Sequence, residues 1–325
     1  MKKNLQKVLI LALGLTTTIA SAQWSANSTT WVDNSNDSRS AESRITLGFD
    51  MSGVHVSTDF KATMDSLGTS QGNANVYEAY VSTDVMGYGT LSIGRQDLSF
   101  GSGALIGSSN WGNSRYITDG ANFAASFSGI EINAGTLGGI NQSSNYINAS
   151  GTFSGISVNV LMIDNNDVKS NGYDLGYTMM DGALNLSYSM NDDGRGGEMT
   201  NMGASYSVFD NMSVHGSMKT YEGDSSFSAV NSAWGLSNGG QLAHQATGTD
   251  VLSYGLNYDL GDITLGYTMH TASTDNLDEF GVAIEDVDYT DMSISYNLND
   301  NCTLGYRSYG VSDVTMNYIT VQIGM

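Results

Sequence analysis

Proline is absent from the 325 residues, and cysteine occurs once, at Cys302. A single cysteine excludes an intrachain disulfide, so no covalent staple holds the fold. The missing proline suits long hydrogen-bonded ladders, which proline interrupts. Bases are scarce, with 12 Lys and Arg against 33 Asp and Glu. Such a surface repels polyanions, and nothing in the chain reads as a nucleic-acid-binding face. Long apolar runs are missing as well. The stretch 8–15 is too short to span a bilayer as a helix. It follows Lys2, Lys3 and Lys7 and precedes Ala20-Ser21-Ala22, the pattern of an export signal over 1–22, cleaved after Ala22. Without those residues, 9 bases face 33 acids, a formal charge of −24.

What the chain does have is a repeated alternation. Leu252, Tyr254, Leu256, Tyr258 and Leu260 interleave with Ser253, Gly255, Asn257 and Asp259. Ile263, Leu265, Tyr267 and Met269 then alternate with Thr264, Gly266, Thr268 and His270. Strand side chains point alternately to opposite faces, so each segment has one apolar and one small-polar face. A soluble sandwich also alternates, but its apolar face packs against a second sheet. Lipid outside and water inside requires the pattern seen here. An exported chain whose only apolar run is a short leader, with many amphipathic strands, fits an outer membrane, where only closed barrels satisfy every backbone group.

The pattern predicts an all-β fold over 23–325: a transmembrane, antiparallel, up-and-down β-barrel of eighteen strands. The strands are read at 24–32, 43–51, 54–64, 75–85, 89–99, 117–127, 130–138, 145–153, 155–164, 171–180, 182–191, 199–209, 212–221, 249–260, 262–272, 288–298, 301–309 and 313–325. Sixteen is the alternative if two weak segments are loops. Short turns such as Ser52-Gly53 and Ser128-Gly129 alternate with longer connections, the longest at 65–74, 100–116, 222–248 and 273–287. Outer-membrane barrels have short periplasmic turns and longer external loops.

Residues 89–127 are more specific. Gly89-Thr-Leu-Ser-Ile-Gly-Arg-Gln96 is followed by a loop, then Asn113-Ser-Arg-Tyr116 and Gly120-Ala-Asn-Phe123. With Ser43-Arg44 and the run Tyr77 to Val81, this resembles the general porins of Gram-negative bacteria. Ala104-Leu-Ile-Gly and Asn110-Trp also resemble the alginate-export-like barrels, which have eighteen strands. The resemblance implies an inward-folded loop over 100–116 that carries Arg115, and a homotrimer. Ala121 and Ala125, with the neighbouring short strands 130–153, are the candidate interface.

Parity assigns the pore-lining candidates. Arg44, Asp50, His55, Asp59, Lys61, Glu78, Asp174, His215, Lys219 and Arg307 alternate with outward apolar residues, because a charged side chain at mid-membrane on the lipid face costs about 2–4 kcal/mol for Arg or Lys. Arg95 breaks the pattern. Strict alternation from Leu91 and Ile93 sends it outward with Asp97, and a local bulge would bring it into the pore; the other reading makes it an interfacial anchor.

The expected function is a passive, water-filled channel for small hydrophilic solutes and ions, with a cation preference from the excess of wall acids. A sugar- or polysaccharide-specific channel and a plugged structural or adhesive barrel are the alternatives. No catalysis is expected: His55, His215, His244 and His270 are dispersed, and no H-E-x-x-H run occurs. No cofactor is expected either, apart from calcium at the acidic external loops, Asp164 with Asp167 and Asp275, Asp278, Glu279, Glu285, Asp286 and Asp288. Outer-membrane lipid and lipopolysaccharide, bridged by divalent ions, are the expected surroundings.

Overall fold

A computed structural model of the chain describes residues 23–33, 40–64, 70–108, 115, 117–139, 142–165, 168–228, 231–232, 246–274, 276, 286–311 and 314–324. The leader region lies outside these residues. Eighteen strands form one antiparallel sheet: β1 (Gln23–Asp33), β2 (Ser40–Met51), β3 (Val54–Met64), β4 (Ser70–Asp84), β5 (Thr90–Gln96), β6 (Thr118–Phe127), β7 (Ile130–Gly139), β8 (Gln142–Phe153), β9 (Ile156–Asn165), β10 (Val168–Met179), β11 (Leu184–Asp192), β12 (Gly197–Phe209), β13 (Met212–Gly223), β14 (Thr249–Asp259), β15 (Ile263–Thr274), β16 (Val287–Asn299), β17 (Cys302–Val311) and β18 (Val314–Gly324). The first predicted segment, 24–32, is therefore a strand, and the count is eighteen rather than sixteen.

The sheet closes on itself. β1 pairs with β2 on one side and with β18 on the other, Asn27 opposite Gly324 and Asp33 opposite Tyr318. Closure leaves no edge strand with unpaired backbone groups. Several turns share one geometry: both central residues have positive φ, as in Ser52-Gly53, Ser128-Gly129 and Ser154-Gly155. These are type I′ conformations, whose twist matches that of the flanking strands, and glycine adopts the second position without steric cost.

The two faces separate as the alternation demands. Ile45, Leu47, Leu175, Leu186, Leu252 and Tyr254 are exposed on the outside. Ser82 and Ser92 meet hydroxyl to hydroxyl on the inside, as do the amides of Asn122 and Asn133. One element is shorter than expected. β5 ends at Gln96 rather than near 99, because the Asp97 N–H leaves the ladder and donates to Glu78 Oε1 at 3.3 Å.

An apolar cluster lies inside the barrel. Ala104, Leu105 and Ile106, from the connection between β5 and β6, pack with inward-facing Leu137, Tyr146, Leu161, Ile163, Met199, Tyr221, Val251 and Ala272. Phe227, beyond β13, joins them. Inside the barrel, separate from the wall sheet, Ile106–Gly107 pairs in parallel with Asn231–Ser232. Around this cluster the wall is apolar, while polar residues such as Ser170, Asn191 and Thr249 persist beside it. On the strands from β7 to β15, the expected small-polar wall is partly replaced towards the long loops by apolar residues under two inserted segments.

Adjacent residues on β11 test the face assignment. Leu186→Arg places a cation on the outer face and lowers unfolding stability in bilayers by about 2–4 kcal/mol. Ser187→Arg, one residue on, faces the lumen and changes it far less; denaturant titration of the membrane-inserted protein reads both.

Candidate functional site

The lumen has three charged regions. The first surrounds the inserted loop where it leaves and rejoins the wall. β4 carries a bulge: Ser57 lies opposite Glu78 but Thr58 opposite Val76, so Tyr77 is an extra residue. The bulge turns both Tyr77 and Glu78 inward. The Tyr77 hydroxyl donates to the Asp97 carboxylate. Burial lifts the Asp97 carboxyl above its ordinary pKa, against the lowering pull of Tyr77, Arg115 and Ser108. At the other end of the loop, Arg115 lies over the Tyr77 ring at 3.8 Å from its centroid. Its guanidinium donates to Thr46 Oγ1 at 3.0 Å and approaches Asp59 at 3.6 Å. Thr46 in turn donates to Asp59 at 2.7 Å. Asp59 and Arg44 are 2% and 3% exposed, and Arg44 stacks on Trp31. Lys61 follows Asp59 at the same parity on β3. Arg44, Asp59, Lys61 and Arg115 thus form one group in which the loop returns to the wall.

The second region lies at the turn end. His55 Nδ1 is 2.6 Å from Asp50 and Nε2 is 3.3 Å from Glu78, and its ring stacks on Tyr80. A cavity of about 390 Å³ opens beside Asp50, His55 and Tyr80.

The third region occupies the far wall. Asn148, Asn159 and Asp174 form a relay across β8, β9 and β10, with Asn148 donating to Asn159 at 2.6 Å and Asn159 to Asp174 at 3.0 Å. Gly101 of the inserted loop (φ 56°) rests on this relay, and a Cβ there would lie 1.9 Å from Asp174 Oδ2. Beneath it is a cavity of about 700 Å³, lined by Glu131, Asp174 and serines 150, 157, 187 and 189. Further round, His215 meets Thr268 at 3.1 Å and His270 meets Ser253 at 2.7 Å. Lys219 is buried, and Arg307 binds Asp291 through Nε and Nη2 at 3.0 and 2.5 Å.

Arg95 does not reach the lumen. Its register partners are Ala79 and Asp119, and its guanidinium holds both Asp119 oxygens at 2.9 Å. Asp119 shares the outer parity of Ala121, Phe123 and exposed Phe127. β5 keeps continuous register through Arg95, so the bulge expected there is not found; the one nearby lies on β4 and redirects Tyr77. Asp97, expected outside, turns in because it has left the strand. His244, Asp167, Asp275, Asp278, Glu279 and Glu285 lie outside the described residues.

The lumen residues missed in the sequence are Tyr77, Asp97 and the apolar inward set. A signal for the last exists: Leu161-Met162-Ile163 and Val251-Leu252 are apolar on both parities. Apolar residues on the wet face mark where something covers the wall.

A closed, lipid-facing barrel with a polar, loop-narrowed lumen is a transmembrane channel. The chain belongs to the Gram-negative porin family, whose model matches residues 10–317. It is a passive channel of the outer membrane. No curated protein matches the sequence. Among solved structures, Pseudomonas aeruginosa OccK5 (OpdH) superposes with a TM-score of 0.73 at 13% identity, covering 94% of this chain and 98% of that one. Acinetobacter baumannii OccAB3 gives 0.73 at 9%, covering 94% and 100%. P. aeruginosa OpdK with vanillate gives 0.71 at 12%, covering 94% and 99%. At these identities the likeness establishes the shared fold.

The contrast between two arginines is measurable. Arg115→Met unlatches the loop from Asp59 and Thr46 and alters single-channel conductance. Arg95→Met, on the outer face, leaves conductance at the wild-type value in the same planar-bilayer recording.

Proposed function

We propose that this porin is a cation-preferring diffusion channel for small hydrophilic solutes, exported with a leader cleaved after Ala22 and assembled as a homotrimer. One observation carries the preference. Asp50, Glu78, Glu131 and Asp174 face the interior with no lysine or arginine in ion-pair distance among the described residues. The interior bases are differently placed. Arg115 is held by Asp59 and Arg307 by Asp291, Arg44 and Lys219 are buried, and Lys61 sits beside Asp59 in the loop-return group. Paired charges cancel at the range of a passing ion, whereas unpaired carboxylates raise the local cation concentration. The bound vanillate of OpdK is an aromatic carboxylate; here the engaged guanidinium groups argue against a comparable anion path.

The trimer reading rests on the outer face of β6–β8, where Ala121, Ala125, Ala134 and Ala149 replace the bulky residues found elsewhere, beside the Arg95–Asp119 pair. Small side chains let two walls approach, and a subunit seam shields an ion pair from lipid. The outer rim also carries Asp192, Glu198 and Glu222 in register on adjacent strands. Like charges directly opposite repel, and divalent ions shared with lipopolysaccharide phosphates would relieve them.

In a potassium chloride gradient the reversal potential has the sign of cation selectivity, and Glu131→Gln with Asp174→Asn moves it towards zero. A wild-type potential of anion sign would sink the preference, and silence in the bilayer would favour the plugged barrel. On unboiled gels the protein runs as a trimer, and Ala125→Trp shifts it to the monomer band.

A further inference from the structure

The short connection between β11 and β12 holds an unusual carboxylate. Asp193 is 2% exposed and has no cation in ion-pair distance among the described residues. Its Oδ1 accepts the N–H groups of Arg195 at 2.7 Å and Gly197 at 3.0 Å. Its Oδ2 accepts the N–H of Ser228 at 2.9 Å, from a different connection 35 residues away. The Asp193 carbonyl accepts Ser170 Oγ at 2.8 Å, which fixes the turn to β10. A buried carboxylate tolerates its desolvation only when such charge-assisted bonds replace water.

The placement of Ser228 gives this bond its meaning. Phe227, its neighbour, is buried in the interior apolar cluster. A Cβ on Gly197 would lie 2.6 Å from the Phe227 Cα and 2.7 Å from Asp193 Oδ2, so the turn is shaped around this segment. A few residues on, Asn231–Ser232 pairs with Ile106–Gly107 of the first inserted loop. Ser225 adds bonds to Gly196 and Arg195 at 3.3 and 3.0 Å.

We infer that Asp193 is a positioning residue for the channel's aperture: it holds the segment around Phe227 and Ser228 so that this connection docks against Ile106–Gly107 and narrows the lumen. The inference rests on the lumen being a conducting path.

Asp193→Asn isolates the role. Its one carbonyl oxygen still accepts the Arg195 and Gly197 donors, but its amide presents N–H towards the Ser228 N–H, donor against donor. Ser228→Pro removes the same bond from the other side. Each variant is expected to raise single-channel conductance and to admit larger sugars in liposome swelling. The double variant is expected to do no more than either alone, because both remove one interaction. Heat-modifiable migration identifies folded barrels, and if Asp193→Asn does not fold, Ser228→Pro carries the test. Unchanged conductance and size cut-off in the folded variants, or additive effects in the pair, overturns the inference. A silent wild-type channel would instead overturn the conduction reading on which it rests.

Discussion

A peptide group in hydrocarbon has no water to bond, and this governs the rest of the molecule. Every N–H and C=O in the lipid-spanning region must find a partner within the sheet. Joining β18 to β1 meets that demand at the last open edge. Tight turns with two positive-φ residues meet it at the strand ends without splaying the ladder. Because backbone pairing holds the wall, the inward side chains are released from building a core. They can be small, as Ser187 and Ser189 are, or can serve as docking points for inserted chain.

An eighteen-stranded wall encloses more space than side chains fill, and the inserted segments divide it. The first is held by polar contacts at both ends and apolar contacts in the middle. Asp97 is tied to Tyr77 and Glu78, Arg115 to Thr46 and Asp59, and Leu105 and Ile106 sit fully buried between them. The two kinds of contact do different work. Burial of Leu105 and Ile106 supplies non-directional attraction, at roughly 25 cal/mol per Å² of apolar surface. The Arg115–Asp59 contact fixes position, since removing one member of a buried pair strands the other at about 3–5 kcal/mol.

The barrel was readable from the sequence because its determinant is local and periodic. Leu252 through Leu260 declares two faces regardless of what lies opposite. Parity failed at two neighbouring places, Tyr77 on β4 and Asp97 just past β5. Tyr77 is inserted into β4, so the alternation changes phase there, and no signal within Val76-Tyr77-Glu78 announces it. Arg95 keeps strict alternation and Asp97 leaves the strand, the reverse of what the polar character of an arginine suggests. The interior docking was half legible: Leu161 and Ile163 show that the wet face is covered, but not by which segment. Asp193 was illegible, since a carboxylate in a glycine-rich turn looks the same whether it faces solvent or three backbone donors.

Burial sorts the interior charges into two functional groups. Asp59, Asp193 and Arg115 are withdrawn under the inserted segments and held by fixed partners, so they shape the passage without biasing what enters it. Asp50, Glu131 and Asp174 lie towards the turn end, beside open volume, and no lysine or arginine neutralises them among the described residues. Screening at physiological salt confines their influence to about 8 Å, comparable with the width of a narrow passage but not of a wide one. Selectivity and aperture are therefore coupled. The carboxylates discriminate only as far as the docked segments keep solutes close to the wall, so loosening the anchors weakens ionic preference even where no charge on the wall has changed.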